Sequence, residues 1–153
     1  MALHKATQVA AGLPVPNADA AMDLIPIFGD FTVPAAGFAS GDVVEMAPLP
    51  AGYVPVDVIA DNEALGATMT FNVGILSGAY GSNDQARTCG AEFMSAQAFQ
   101  TAGIKRMSAA GGGRIAPTTA DRGIGLACTT ITTPTAGARV RLTVLCRPAV
   151  EGA

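Results

Sequence analysis

After Asp23 the apolar residues recur mostly at every second position, the period of a strand with one face buried. Met69, Phe71, Val73 and Ile75 share one side of such a run, with Thr70, Asn72 and Gly74 on the other, which predicts a half-buried strand. Val140, Leu142, Val144 and Cys146 repeat the pattern near the C-terminus, with Arg139, Arg141 and Arg147 facing the other way. Ile124, Leu126 and Cys128 alternate with small residues, and Val54, Val56 and Val58 predict a strand that turns these three valines to the core. Residues 24–28 are β-like but contain Pro26, which cannot donate to a ladder and so marks an edge. Residues 31–33, 43–46 and 115–117 read as further short strands. Turns fall at 48–52, 61–63 and 132–137, a polar loop at 77–90, and a flexible hinge at Gly111-Gly112-Gly113. One stretch breaks the period of two. Over residues 91–102, Phe93, Met94, Gln97 and Ala98 recur at helical spacing before Gly103, predicting one short helix with a glycine stop.

Residues 1–22 carry no period, and Leu13-Pro14-Val15-Pro16-Asn17 blocks both a helix and a central strand. This predicts an extended N-terminal arm before a single β-sandwich domain over residues 23–153. Fully extended, such an arm reaches roughly 70 Å. A frayed terminus is the alternative. Against it stand Leu3, Val9, Leu13 and Val15, apolar residues of the kind disordered tails lack. Seven or eight short strands, one short helix and an extended arm place the chain in the all-β class, as a jelly-roll-like β-sandwich or barrel. An immunoglobulin-like sandwich is the runner-up.

Composition adds a statement about surface. Half of the 153 residues are hydrophobic, yet 5% are aromatic, none is Trp, and 14% are charged, against about 25% charged in an ordinary soluble domain. So little charge implies that partners cover part of the surface; the alternative is an Ala- and Gly-rich ordinary monomer. The net charge is −3 and basic residues gather no further than Lys105-Arg106, which argues against nucleic-acid binding. No apolar run reaches the roughly 18 residues of a membrane span, and the first residues lack a signal-peptide core, so synthesis in a cytosol is expected. The three cysteines have no metal-type spacing, and an odd count leaves a free thiol. Cys128 and Cys146 sit in apolar strands as small hydrophobes, with a mutual disulfide as the lesser alternative.

Candidate chemistry is sparse. The single histidine, His4, lies on the arm, so no catalytic triad, cupin-type metal site or His/Cys cluster can be assembled. Gly111-Gly112-Gly113-Arg114 lacks the Lys and Ser/Thr of a phosphate loop. Asp57, Asp61 and Glu63 could gather at a strand end as calcium ligands, but solvated turn acids are the commoner case, and the same holds for Asp84. Arg139 and Arg141 suit either a solvated face or acids on a partner. The expectation is a non-enzymatic protein with no cofactor.

One resemblance gives this reading a partner. Residues 41–56, beginning Gly41-Asp42-Val43-Val44-Glu45 and continuing Leu49-Pro50-Ala51-Gly52, resemble a segment of tailed-bacteriophage virion proteins in which this stretch leads into a hydrophobic strand. Thr118-Thr119-Ala120-Asp121-Arg122-Gly123-Ile124-Gly125 follows in the same order, and the likeness in layout covers residues 24–147. The closing strand departs from it, ending in Cys146-Arg147 where an aromatic is common. The resemblance implies a head decoration, or cement, protein. Such a protein is made in the bacterial cytoplasm, binds the outer capsid surface of the virion, and bridges major capsid protein subunits. It also implies a dimer or trimer with terminal arms as clasps, and no membrane or nucleic-acid partner. Leu3, Val9, Leu13, Val15, Leu24 and Ile25 are then the expected partner contacts. Two other readings remain: a head–tail or tail fitting, and a carbohydrate-binding β-sandwich of a receptor-binding protein, for which Tyr80 is the stacking candidate.

Overall fold

The alternating segments fold into two sheets laid face to face, antiparallel except where residues 3–5 run beside residues 43–45. The computed structural model describes residues 2–12 and 24–149. Along the chain run β1 (Leu3–Lys5), a helical turn α1 (Thr7–Ala10), β2 (Ile25–Thr32), β3 (Val43–Leu49), β4 (Tyr53–Asn62) and β5 (Gly66–Ala67). Then follow β6 (Thr70–Ile75), β7 (Met94–Ala98), β8 (Gly103–Arg106), β9 (Arg122–Thr130), β10 (Thr133–Pro134) and β11 (Arg139–Pro148).

The eight principal strands pair first with last: β2 with β11, β3 with β9, β4 with β8 and β6 with β7, all antiparallel. This is one long ribbon of four pairs. Rolling it up sets β11 also against β4 and β9 against β6. The outcome is a four-stranded sheet, β2-β11-β4-β8, facing a five-stranded one, β1-β3-β9-β6-β7. That is the jelly-roll β-sandwich the sequence predicts. β5 and β10 form a separate short ribbon.

The core lies between the sheets. Val140, Leu142, Val144 and Cys146 enter it from β11, Ile124, Leu126 and Cys128 from β9, and Phe71 and Val73 from β6, all buried. Burying each such side chain stabilises the fold by about 1.5–3 kcal/mol. A file of aromatic rings runs through it: Phe31 to Phe38 at 5.5 Å between centroids, Phe38 to Phe71 at 6.2 Å, and Phe71 to Phe99 at 5.2 Å.

Several expectations are corrected. Residues 91–102 form no helix. The open edge of β6 needs a partner, and Phe93 N donates to Val73 O (2.9 Å) and Phe99 N to Met69 O (2.8 Å) on either side of β7. Met94 pairs with Val73 and Gln97 with Phe71, so two residues, Ser95 and Ala96, oppose Asn72 alone. That bulge produces the three-residue spacing that reads as a helix, and Asn72 Oδ1 accepts from Ala96 N there (2.8 Å). Gly103 opens β8 instead of ending a helix. The valines of β4 also fall differently. Cys146 pairs with Pro55 and Leu145 with Asp57, leaving Val56 as an extra residue. The inner face therefore changes from Tyr53 and Pro55 to Val58 and Ala60, and Val56 points to solvent. Residues 24–28 and 31–33 fuse into the single strand β2. It crosses at Gly29, where a side chain would strike the Met46 carbonyl. Residues 115–117 are not a strand, and the glycine hinge is a 3₁₀ turn (Gly112–Arg114) with Gly112 buried against Met107. Cys128 and Cys146 stand in opposite sheets as free thiols.

Candidate interaction surface

The N-terminal residues are held by the strand they lie beside. β1 pairs in parallel with β3, Leu3 opposite Val43 and Lys5 opposite Glu45. The anchor is Asp42, a nearly buried carboxylate in the turn before β3. Its Oδ1 accepts from Ala2 N (2.7 Å), its Oδ2 from Ala39 N (2.9 Å), and His4 Nε2 lies 3.2 Å from Oδ2. Burial works to raise the Asp42 pKa, but those N–H groups and the His4 ring together outweigh it. The carboxyl titrates below the ordinary aspartate value. His4 also meets the rings of Phe38 and Phe31 edge-on. Beyond it Ala6 and Val9 are buried in the chain's own core.

The 77–90 loop lies over the outer side of the five-stranded sheet at Glu45 of β3. Every residue of β3 is buried, including Glu45, the one charge in an apolar strand. Arg87 descends from the loop to meet it, Nη1 to Oε1 at 2.9 Å, with both side chains essentially inaccessible. Gly81 N donates to the same carboxylate, Arg87 Nε donates to Ser77 O (2.7 Å), and Lys5 Nζ donates to Gly81 O (2.6 Å). Gly123 leaves room for the pair, since a Cβ there would strike Glu45. Tyr80, the sugar-stacking candidate, is partly buried against the core. Burial, then Glu45 and Asp121, raise its pKa.

The outer side of the four-stranded sheet is built differently. Its register places Asp30, Arg141, Asp61 and Ile104 in one row, and Phe28, Thr143, Ile59 and Arg106 in the next. Among the described residues, the large hydrophobic side chains standing in solvent are Leu24 (55% exposed), Phe28 (50%), Val56 (39%) and Ile104 (70%). All belong to this sheet or to the residue leading into it. Its charges pair within the chain. Arg141 makes a two-pronged contact with Asp30 (2.7 and 3.0 Å) and lies over the Phe28 ring; Arg106 bonds Asp57; Arg139 meets Glu63. The arginine face thus finds its acids in its own sheet.

The sequence-predicted contact residues separate on this frame. Leu24 is exposed, Leu3 and Ile25 are half-buried, and Val9 is buried. Leu13 and Val15 lie outside the described residues. Asp57, Asp61 and Glu63 do not converge: two are tied to arginines on different strands, and among the described residues no cluster of His, Cys, Asp or Glu is close enough to hold a metal. Burial pushes the thiols up, Cys89 to about 12 and Cys128 and Cys146 to about 11, which leaves them protonated and inert near neutrality. Sequence reasoning missed Asp42, Glu45 and Arg87. The one signal available was a lone glutamate inside the apolar run of residues 43–46, which burial obliges to find a cation.

No protein-family model matches this chain, and no curated protein does. Solved structures do. A chain from the capsid of Ralstonia phage GP4 superposes with a TM-score of 0.90 at 32% identity, covering 98% of this chain and 100% of that one. A chain of the cyanophage Pam1 capsid asymmetric unit gives 0.62 at 18% identity over 90% and 93% of the two chains. One from the acid-stable capsid of Helicobacter pylori bacteriophage KHP30 gives 0.52 at 16% identity over 81% and 86%. At the last two identities the likeness is one of fold.

Proposed function

We propose, from the premise that this chain belongs to the family of the phage capsid component found in Ralstonia phage GP4, that it is a decoration protein on the outer surface of a phage shell, where it bridges major capsid protein subunits. The observation that carries the proposal is the end-to-end match, over 98% of this chain and 100% of that one. The surface supports it. A small sandwich with low charge and an exposed apolar sheet face is built to bind by buried area. Binding that holds two shell subunits together opposes the outward force of packaged DNA without any catalytic group. The protein is made in the host cytoplasm and joins the virion there.

Leu3, Leu24 and Ile25 are the members of the predicted contact set left with accessible surface, Val9 is buried, and Leu13 and Val15 lie outside the described residues. The test uses shells assembled without this protein, to which the purified chain is added. The expected result is saturable, stoichiometric co-sedimentation and slower shell rupture on heating. Leu3→Asp and Leu24→Asp each weaken binding about 30-fold, the scale of an interface hot spot. Removing residues 1–20 is a poorer test, because it also takes Ala6 and Val9 out of the core. Failure of the folded chain to bind shells, or its location in virions at the tail or the head–tail junction, refutes the reading.

A further inference from the structure

We infer that the free edge of β8 takes up an extended segment of the shell protein as an added strand, one carrying an apolar residue beside Ile104 and a carboxylate beside Lys105. The two main sheets end in β1, β7, β2 and β8, and the first three of these edges are blocked. At β1, Leu3 N donates to Gln85 Oε1 of the 77–90 loop (2.9 Å). β2 contains Pro26, which has no N–H to offer, and α1 packs beside it. β7 is bulged at Ser95 and Ala96, with Ala96 at a φ of 45°, and a bulge turns an edge away from a would-be partner. β8 has neither proline nor bulge, and its cations are drawn back onto the chain. Arg106 bonds Asp57, and Lys105 Nζ donates to Asn62 Oδ1 (2.8 Å) and Thr101 O (2.9 Å).

The register shows what this edge offers. Met107 N donates to Val58 O (2.8 Å), and ladder bonds alternate from there. Gly103 and Lys105 therefore bond β4, while Ile104 and Arg106 turn their N–H and C=O groups outward. No partner in the chain meets those groups among the described residues. Ile104 also carries the most exposed of the large hydrophobic side chains described.

A row of free main-chain donors and acceptors is matched by an extended strand. Successive residues of such a strand face opposite ways, as Ile104 and Lys105 do. An apolar residue next to an acid on the incoming strand thus meets both at once. Lys105 is the cation left to pair, since among the described residues it forms no ion pair, whereas Arg106 has Asp57. The β8 of a second copy does not fit: Gly103, Ile104, Lys105 and Arg106 bring further cations and no acid. That the acidic strand belongs to the shell protein rests on the decoration reading.

The test is amide hydrogen exchange of the full chain, free and bound to shells assembled without it. In the free chain the Ile104 and Arg106 amides exchange fast at every protein concentration. On shells they slow by about 10-fold or more, the scale of one added hydrogen bond. Carbodiimide coupling of the complex links Lys105 to an Asp or Glu of the shell protein. Ile104→Pro removes an N–H that makes no bond within the chain, so it weakens shell binding about 10-fold with the thermal midpoint unchanged; should it fail to fold, exchange in the unaltered chain decides. A chain that binds shells while both amides stay fast overturns the inference and leaves the decoration reading standing. Slowing that appears without shells as the protein concentration rises also overturns it, assigning the edge to a second copy. A folded chain that binds no shells overturns both.

Discussion

The two sheets of this sandwich solve the same problem in opposite ways. Each has an inner face in the core and an outer face to dispose of. The five-stranded sheet is closed at its β3 side by its own chain, where the 77–90 loop lies over Glu45, fixed by Arg87, and β1 completes the edge, and it is polar farther out, where Thr70 bonds Thr129. The four-stranded sheet keeps Phe28, Val56 and Ile104 in solvent among ion pairs that neutralise each other. The lesson is that burial inside the chain and availability for assembly are divided between faces. A substitution on one side should therefore change stability, and on the other, association.

That division can be broken first where burial is deepest. Phe71→Ala opens a cavity in the aromatic file and is expected to cost about 3–5 kcal/mol in denaturant unfolding. Arg87→Ala leaves the Glu45 carboxylate buried without its cation and is expected to cost a similar 3–5 kcal/mol. Glu45→Met with Arg87→Met removes both charges and should recover most of that loss. If the single and double variants are equally unstable, the ion pair is not what holds the loop down.

The N-terminal strand gives an intermediate effect. Asp42→Asn replaces a carboxylate that accepts two backbone N–H bonds, and a loss of about 1–3 kcal/mol is expected, seen as faster amide exchange at residues 2–6. The pH dependence has a definite sign. Asp42 titrates lower in the folded protein than in the unfolded chain. Its contribution is therefore complete above about pH 4 and is lost as the pH falls from there through the lower, folded value. Exchange at residues 2–6 should accelerate below pH 4, and Asp42→Asn should remove the acceleration.

The smallest effects belong to the open sheet. Phe28→Ala and Arg141→Ala are expected to shift unfolding by no more than about 0.5 kcal/mol, since both side chains stand largely in water. Their influence belongs in association measurements. A loss of stability from Phe28→Ala comparable to that from Phe71→Ala would erase the distinction between the two faces.

Alternation along the chain carried the class of fold and the inward faces of its most regular strands. In β6, β9 and β11 the alternation in Phe71 and Val73, in Ile124, Leu126 and Cys128, and in Val140 to Cys146 is the burial pattern observed. A half-buried strand imposes a period of two wherever the ladder is regular. Tertiary structure decided what happens where the ladder is not regular. A bulge at Val56 exchanged the faces of β4, and a bulge opposite Asn72 made an edge strand resemble a helix. Local spacing cannot reveal a bulge, because the extra residue is set by the partner strand's register. The same limit applies to the surface. Arg87 and Glu45 meet only because a loop folds back over β3, and Phe28 and Ile104 share an outer face only because the ribbon rolls up to place β2 and β8 in one sheet. Periodicity fixes which side of a strand is apolar. Which of those sides is covered within the chain, and which is left for another molecule, depends on contacts between segments far apart in sequence.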